Sequence, residues 1–342
     1  MKMVPVHNAV GMVLCHDLTR IVRGRSKGPA FKKGHILREE DLPQLLGMGK
    51  EHVYVWDIRT DSGLIHENEA AIRIARAAAG KHIALGAPSE GKVDLAAAVN
   101  GLLKIDVEAL FEINADEIVF SSLHTHQRVA GGKVLAGTRV IPLVIEESKV
   151  EIAEGVCVRH WPLIEVLPFK KLNAGIITTG SEVYHGRIKD QFGPVIREKL
   201  RDFECGVIGQ SFVSDDRMRI VEEIRSFLKQ GAEMILVTGG MSVDPDDVTP
   251  AAIRDCGARV VTYGAPVLPG SMFMLAYLGD VPVLGLPGCV MYHKTSIFDV
   301  VLPRLLAGEK ITRRDFVVLA HGGLCVHCTE CRYPDCGFAK GT

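Results

Sequence analysis

Hydrophobic positions in the second half of the chain follow two alternating patterns. Short apolar runs predict buried strands at residues 174–178, 205–210, 234–237, 259–262 and 281–286. Between these runs, apolar residues recur every three or four positions, which predicts helices at residues 192–203, 218–228 and 291–306. Thr249 is the predicted N-cap of a further short helix over residues 251–256, with Pro250 at its start. This alternation predicts an α/β domain in which helices cover both faces of a parallel sheet.

The first half of the chain has a mixed pattern. Helical spacing occurs over residues 39–47 and 67–79, and residues 52–56 alternate like a short strand. From residue 82 to about residue 167, short Val, Ile and Leu runs are separated by Gly and Asn, which predicts β-structure. Four domains are predicted: residues 1–60, a small α+β scaffold; 61–168, a helix plus a β-rich domain; 169–310, the α/β domain; and 311–342, a Cys-rich metal-binding tail.

Net charge and apolar run lengths narrow the class of partner. The 342 residues carry a formal net charge of −1, so no overall basic field attracts nucleic acid or anionic lipid. The longest apolar stretches are interrupted by Gly and Pro well before the roughly 20 residues that a membrane span needs. Residues 1–14 lack the apolar core of a secretory signal. We therefore expect a cytoplasmic protein with a small-molecule ligand and neither a membrane nor a nucleic-acid partner.

Glycine-rich loops adjoin the predicted strands. Ligands of open parallel sheets bind beyond the carboxyl ends of the strands, and glycine there lets backbone N–H groups approach a phosphate closely. Neither the dinucleotide-binding Gly-x-Gly-x-x-Gly pattern nor the P-loop pattern follows a predicted strand. The sequence therefore predicts a phosphorylated ligand bound outside those two classes. The loops are Thr179-Gly180-Ser181-Glu182, Thr238-Gly239-Gly240-Met241-Ser242, Pro269-Gly270-Ser271 and Gly285-Leu286-Pro287-Gly288.

Aspartates accompany these loops. Asp215 and Asp216 follow the second predicted strand, and Asp244, Asp246 and Asp247 follow the third. Carboxylates repel a phosphate unless a cation lies between them, so the pattern indicates a divalent ion, Mg²⁺, shared with the ligand phosphates. The alternative is that some of these residues cap helices or lie in solvated turns, and it applies most to Asp246, beside Pro245.

The order and spacing of these motifs resemble those of a known family. Thr179-Gly180-Ser181-Glu182, Ser214-Asp215-Asp216, Thr238 to Ser242, Asp246 to Pro250, Leu268-Pro269-Gly270 and Gly285 to Gly288 are similar to the molybdopterin-binding domain. That domain occurs in molybdopterin adenylyltransferases, molybdopterin molybdotransferases and competence-damage-type proteins, and the resemblance covers about 140 residues. Residues 131–142 and 8–14 resemble the molybdotransferases more loosely.

The resemblance implies a bound molybdopterin or adenylated molybdopterin, Mg²⁺ and a homo-oligomer. It assigns three acids to catalysis: Asp215 and Asp247, which act with Mg²⁺, and Glu182. We add Asp244 as a second Mg²⁺ ligand. The predicted ligand contacts are Thr179, Gly180, Ser181, Gly239, Gly240, Ser242, Pro269, Gly270, Pro287 and Gly288.

Two loops depart from the molybdotransferase pattern. That family usually has Pro-Gly-Lys-Pro where this chain has Pro269-Gly270-Ser271-Met272, so a cationic phosphate partner is missing. It usually has Leu-Pro-Gly-Asn-Pro where this chain has Leu286 to Val290, so Cys289 replaces Asn. Cys289 is either a thiol that faces the cofactor or a small packed residue. These differences, and the lack of the family's final β-barrel domain, put molybdate insertion in question but not ligand binding.

The last 18 residues contain a cysteine cluster. Cys325, Cys328, Cys331 and Cys336 have the spacing C-x2-C-x2-C-x4-C, and nine cysteines in a chain without a secretory signal argue against a disulfide framework. Four thiolates this close predict one metal centre, either an iron–sulfur cluster or Zn²⁺. The alternative is an oxidation-prone tail without a metal.

Three functions remain open at this point. The first is a molybdotransferase-like enzyme of molybdenum cofactor biosynthesis. The second is a non-catalytic carrier or chaperone that delivers the cofactor to a molybdoenzyme apo-protein, which the altered loops favour. The third is a regulator in which the cysteine tail senses metal or electrons.

Overall fold

A computed structural model describes residues 2–22, 26–55, 63–115 and 117–341. The chain divides into two compact units, residues 1–96, 105–123 and 134–165, and residues 97–104, 124–133 and 166–342. Trp56, at the end of a predicted strand, and the predicted domain boundary at residues 60 and 61 lie outside the described residues. The division into four domains stays a prediction.

The N-terminal segment forms two antiparallel strand pairs around a small core. Strand β1 pairs with β4, and β2 pairs with β3. Leu14, Leu37 and Leu45 are fully buried in the core. The predicted helix over residues 39–47 begins as a 3₁₀ turn, Glu39–Asp41, and continues as α1. The elements are β1 (Lys2–Pro5), β2 (Leu18–Val22), β3 (Ser26–Phe31), α1 (Leu42–Gly47) and β4 (His52–Val55).

Residues 64–168 contain mostly short strands and three helices. Their strands form a four-stranded sheet in the order β6-β7-β11-β9, a three-stranded sheet in the order β10-β8-β13 and the pair β12-β5. The elements are β5 (Leu64–His66), α2 (Glu67–Ala78), β6 (Ile83–Leu85), β7 (Lys92–Ala97), β8 (Gly101–Ile105), α3 (Val107–Ile113), β9 (Ile118–Ser122), β10 (Arg128–Val129), β11 (Val134–Val140), β12 (Val144–Glu146), α4 (Glu147–Arg159) and β13 (Ile164–Pro168).

A six-stranded sheet organises the rest of the chain. Its order is β15-β14-β16-β19-β18-β17, in which β14, β15, β16 and β19 are parallel, while β18 runs antiparallel to both of its neighbours. The elements are β14 (Asn173–Thr179), α5 (Ser181–Tyr184), α6 (Phe192–Arg201), β15 (Gly206–Val213), α7 (Arg217–Lys229), β16 (Met234–Thr238), α8 (Thr249–Asp255), β17 (Arg259–Tyr263), β18 (Met274–Leu278), β19 (Val281–Leu286), α9 (Cys289–Tyr292), α10 (Ile297–Leu306) and α11 (Arg313–Val317).

Helices cover both faces of this sheet, which confirms the predicted α/β class. Because successive side chains of a strand point to opposite faces, Ile176 and Ile177 belong to different core clusters. Ile176 shares its cluster with residues of α6, α10 and α11, whereas Ile177 shares its cluster with residues of α7 and α8. The sheet is mixed rather than wholly parallel, because β18, which is absent from the predicted strands, inserts between β19 and β17.

Two details of the predicted helices are wrong. The last helix is interrupted at His293: α9 ends at Tyr292, and α10 begins at Ile297 after Ser296, whose hydroxyl and Asp299 form a reciprocal cap. Thr249 is the first residue of α8 rather than its N-cap, and its hydroxyl donates to the Gly239 carbonyl at 2.9 Å. Within the described ranges, no helix has the length and apolar character needed to span a bilayer.

Candidate functional site

A cleft lies beyond the carboxyl ends of β16 and β19. Its volume is about 520 Å³, and three loops line it together with Phe192 of α6; the third loop runs into Cys289, the first residue of α9. The first loop follows β16 and contributes residues 239–242 and Asp247; the second contributes residues 268–272; the third follows β19 and contributes residues 286–289. The strand order places β16 beside β19, so loops distant in sequence meet at one edge of the sheet.

Eight of the predicted site residues line this cleft together. Seven are predicted ligand contacts and one, Asp247, is a predicted Mg²⁺-binding acid. They are Gly239, Gly240, Ser242, Asp247, Pro269, Gly270, Pro287 and Gly288.

The loop after β16 needs glycine at two positions. Gly239 and Gly240 have φ values of +84° and +57°, in the left-handed region that glycine adopts without strain. A Cβ on Gly239 would lie 2.3 Å from the Thr179 carbonyl oxygen, so a larger residue cannot occupy that position unless the strands move apart. Tyr263, which sequence reasoning missed, holds the same loop because its hydroxyl donates to the Met241 carbonyl at 3.1 Å.

The predicted contacts at the end of β14 lie behind this loop instead of in the cleft. Thr179 is buried, and its hydroxyl oxygen is 3.3 Å from that of Thr249. Gly180 is also buried, whereas Glu182 is exposed; neither they nor Ser181 are among the residues lining the cleft. The loop therefore supports Gly239 and Gly240 from behind.

Asp215 is already engaged by the neighbouring loop. Its Oδ2 accepts hydrogen bonds from both the backbone N–H and the hydroxyl of Ser181, each at 2.9 Å. It is half-buried and is not among the residues lining the cleft. The geometry gives Asp215 a role in holding the loop at the end of β14.

Asp244 and Asp247 belong to one turn. The Asp247 N–H donates to the Asp244 carbonyl at 2.9 Å, and the Asp244 N–H donates to Asp247 Oδ2 at 3.2 Å. Asp247 lines the cleft, while Asp244 is exposed. Over the described ranges, no three His, Cys, Asp or Glu side chains are grouped so as to hold a metal ion. Two carboxylates from this turn would need phosphate oxygens and water to complete an Mg²⁺ site.

The two departures from the molybdotransferase pattern both lie in the cleft. Ser271 and Met272 line it where the family usually has Lys and Pro, and Cys289 lines it where the family usually has Asn. No Lys or Arg is among the lining residues that the structure describes. Burial raises the pKa of the Cys289 thiol, which keeps it protonated near neutral pH.

Several apolar residues of the cleft were missed from sequence. Phe192, Met241, Leu268 and Leu286 line it between the polar loop positions. Such residues carry no local signal of ligand binding, because the same apolar pattern predicts an ordinary helix or strand.

The four cysteines of the C-terminal motif line a second cavity of about 330 Å³. His293 and His327 line it too, with ring centroids 5.3 Å apart. All four cysteines are free; Cys328 and Cys331 are exposed, and Cys325 and Cys336 are half-buried. The motif therefore faces one common space.

Comparisons with known proteins agree with this geometry. A family model described as a probable molybdopterin binding domain matches residues 175–307, and a model for a domain of unknown function matches residues 3–57. A molybdopterin molybdenumtransferase of Synechococcus elongatus is 29% identical over 153 residues, which are 42% of this chain and 38% of that protein. A CinA-like protein of Mycolicibacterium vanbaalenii is 37% identical over 91 residues, which are 26% of this chain and 21% of that protein. The matched segments thus span well under half of either relative.

Solved structures give further similarities. The molybdopterin biosynthesis enzyme MoaB of Thermus thermophilus is 23% identical, with a TM-score of 0.34, over 40% of this chain and 98% of that chain. The tungsten cofactor synthesizing protein MoaB of Pyrococcus furiosus is 21% identical, with a TM-score of 0.31, over 39% of this chain and 88% of that chain. The match to the probable molybdopterin binding domain thus covers residues 175–307 of this chain, and several motifs of that segment line the cleft.

Proposed function

We propose that the cleft binds molybdopterin or its adenylated form, and that the protein acts in molybdenum cofactor biosynthesis. The observation that carries the proposal is the meeting of three Gly-rich loops around one cavity of about 520 Å³. This volume lies in the range of roughly 300–1,000 Å³ typical of small-molecule sites.

The lining suits a ligand with both a ring system and phosphates. Phe192, Met272 and Leu286 supply apolar surface for a flat heterocycle. Gly239 and Gly240 allow close approach of phosphate oxygens to the backbone, and Ser242 adds a hydroxyl.

Mg²⁺ accompanies the phosphates in this proposal. With no cationic side chain among the described lining residues, Asp247 would repel a phosphate directly. Asp247 would bind the ion together with Asp244 and phosphate oxygens, and Mg²⁺ would neutralise charge on the phosphates.

The proposed reaction is molybdotransferase-like. Water breaks the phosphoanhydride of adenylated molybdopterin, so that AMP leaves and the pterin keeps its own phosphate. The two dithiolene thiols of the pterin bind the molybdenum of molybdate, and one molybdate oxygen leaves as water with their two protons. Asp247 acts at the phosphates, and Asp215 supports the loop that carries Ser181 and Glu182. A catalytic contact by Glu182 requires the ligand to reach beyond the cleft, toward the exposed residues that follow β14 and Gly180.

A non-catalytic carrier is the second candidate. The observation that favours it is the presence of Ser271 and Cys289 in the cleft at positions where molybdotransferases usually have Lys and Asn. A carrier would bind the pterin tightly and pass it to a molybdoenzyme apo-protein. That partner, a homo-oligomeric state and a cytoplasmic location stay predictions.

We also propose, independently of pterin binding, a metal centre on the C-terminal cysteines. Its support is that Cys325, Cys328, Cys331 and Cys336 face one cavity as free thiols. An iron–sulfur cluster and Zn²⁺ are the two candidates from the sequence, and a sensing role for this centre is the third functional possibility.

The test combines binding and turnover. Full-length protein is incubated with adenylated molybdopterin, Mg²⁺ and molybdate, and bound pterin, free AMP and pterin-bound molybdenum are measured. AMP release that requires Mg²⁺, with molybdenum retained on the pterin, supports the enzyme. Tight binding without AMP release supports the carrier, and the lack of pterin binding at micromolar concentration contradicts both.

A further inference from the structure

The cysteine cavity is built on a fixed frame. Phe338 and Ala339 are buried in the core of the six-stranded sheet domain, and Cys325, Tyr333 and Cys336 pack against that core. The Tyr333 hydroxyl donates to the Asp299 carbonyl at 3.1 Å, and the Ala339 N–H donates to the Gly322 carbonyl at 2.8 Å. The motif is therefore held at both of its ends, and the four thiols are presented by an ordered segment.

Residues outside the motif complete the cavity. His293 and Thr295, in the break between α9 and α10, line its other wall. The Thr295 hydroxyl is 3.2 Å from Cys331 Sγ. The interruption of the predicted last helix therefore supplies part of this cavity.

The dimensions favour a cluster over a single ion. Tetrahedral Zn²⁺ with bonds of about 2.3 Å draws its sulfur ligands to within roughly 4 Å of one another. Across the residues that the structure describes, no three His, Cys, Asp or Glu side chains are grouped so as to hold a metal ion, so the thiols that face the cavity must move closer together to bind either zinc or a cluster. A [4Fe–4S] cluster binds each thiolate to a different iron, so its ligands stand farther apart around a larger volume. The cavity, at about 330 Å³, is far larger than a single ion needs.

Two chain segments run between the cysteine cavity and the pterin cleft, which is the cleft lined by residues 239–242, 268–272 and 286–289. Leu268 forms a parallel bridge with Leu324: its N–H donates to the Gly323 carbonyl, and its carbonyl accepts the Cys325 N–H, both at 2.8 Å. The residues after Leu268, which include Pro269 and Gly270, line the cleft. On the other side, α9 begins with Cys289 in the cleft and ends at Tyr292 in the cavity wall.

We propose that Cys325, Cys328, Cys331 and Cys336 bind a [4Fe–4S] cluster, and that the cluster fixes the Leu268–Cys325 bridge and so favours ligand binding in the pterin cleft. The coupling rests on the proposed pterin-binding function, whereas the cluster does not. Coupling is reciprocal, so the pterin also strengthens cluster retention. On assembly, two Fe(II), two Fe(III) and four sulfides combine, and each cysteine thiol releases one proton to solvent as its sulfur binds iron.

The first experiment tests the cluster without any pterin. The full chain is reconstituted anaerobically with ferrous and ferric iron and sulfide, and in parallel with Zn²⁺ alone. We expect about four iron and four acid-labile sulfide per chain. Cys331→Ser and Cys328→Ser, both at exposed positions, should lose most of this iron, while Cys205→Ser, half-buried outside the cavity, should keep it. One tightly held zinc per chain with no iron or sulfide retained would overturn the cluster.

The second experiment tests the coupling. Molybdopterin binding is compared between the cluster-loaded chain, the cluster-free chain and Cys331→Ser, and amide hydrogen exchange is followed at Leu268. We expect at least tenfold tighter binding and slower exchange at Leu268 in the loaded chain. Equal affinity and equal exchange would overturn the coupling while leaving pterin binding intact. If no form binds the pterin, the proposed function and the coupling both fail, and the iron and sulfide content still decides the cluster.

Discussion

The pterin cleft and the cysteine cavity are two sites of opposite construction on the same sheet domain. The cleft collects loops from three distant stretches of chain and presents glycine backbone, two hydroxyls and one carboxylate. The cavity takes all four thiols from a single short motif and needs other segments only for its far wall. A site built from dispersed loops depends on strand order, whereas a site built from contiguous residues depends on how one segment docks. The two sites should therefore respond differently to mutation wherever they do not share a support.

Arg304 lies in α10, which packs in the core of the sheet domain that carries both sites, and its loss should have the largest effect on stability. Arg304 is 5% exposed. Its Nε donates to Glu309 at 2.6 Å, and its Nη2 donates to Asp315 at 2.5 Å. Arg304→Met leaves Asp315 without this cation and Glu309 with only Lys104 and His126, which should cost about 3–5 kcal/mol of unfolding free energy. Denaturant unfolding of the sheet domain measures this free energy. Pterin binding and iron retention should both be lost where the domain is partly unfolded. Arg217→Met removes an exposed pair with Asp255 and should leave the transition nearly unchanged; an equal loss in both variants would contradict this role of Arg304.

Asp247→Asn should separate the two sites. Asparagine keeps the size of the side chain and removes the charge that we propose to bind Mg²⁺, so we expect AMP release to fall at least 100-fold, about 2.7 kcal/mol in the barrier. Pterin affinity should stay within tenfold, about 1.4 kcal/mol. Iron content should not change, because the cysteine cavity contains no part of this turn. Asp280→Asn, in an exposed turn between β18 and β19, is the matched control. Unchanged turnover in Asp247→Asn would remove this residue from the reaction.

Gly270→Ala should disturb both sites through the loop that connects them. Gly270 has φ +135°, and a Cβ there would lie 2.4 Å from Ile297 Cγ2 and 3.0 Å from the Ile297 backbone nitrogen. The overlap and the strained backbone should cost about 2–3 kcal/mol of unfolding free energy. Pterin affinity and iron retention should fall together. Gly279→Ala is the control. Gly279 has φ +61° with open space around the new Cβ, so this variant measures the cost of the strained backbone alone. Iron retention that stays normal while pterin affinity falls would show that the loop does not link the sites.

Acid should weaken the ion pairs of Arg304 with Asp315 and Glu309, and this is the smallest of the four expected effects. Burial raises the pKa of Asp315, but hydrogen bonds from Arg304 and Thr312 outweigh it and lower the pKa to about 2. For Glu309, burial also raises the pKa, while hydrogen bonding to His126 and the charge of Arg304 lower it more strongly. Both carboxylates thus contribute stability that is present above their ordinary pKa values near 4 and is lost as the pH falls through the folded values. We expect a loss of about 2 kcal/mol between about pH 4 and pH 2 for Asp315. Arg304→Met should show a much flatter acid profile in the same unfolding experiment, and an unchanged profile would contradict the pairing.

Much of the sheet domain could be predicted from local patterns. Short apolar runs located five of the six strands, whereas the structure showed which residues face which core, as Ile176 and Ile177 illustrate. Strand β18 was missed, because an apolar run of that length does not reveal whether it forms a strand or packs as a loop. The gap between α9 and α10 was also missed, since helical spacing continues across His293 although Ser296 and Asp299 start a new helix there.

The sequence alone determined which chemistry the chain carries. Glycine and aspartate after strands, and four cysteines at short spacing, are properties of residue type and order, and they predict a phosphorylated ligand and a metal centre wherever the chain folds. Only the tertiary structure decided which of those residues meet. It brought Gly239, Gly270 and Gly288 to one cleft, turned Asp215 toward Ser181, and joined the cysteine motif to the cleft through Leu268. The physical reason is that side-chain periodicity reports only on neighbours a few residues apart, whereas strand order and docking of the last segment are fixed by burial of apolar surface across the whole domain.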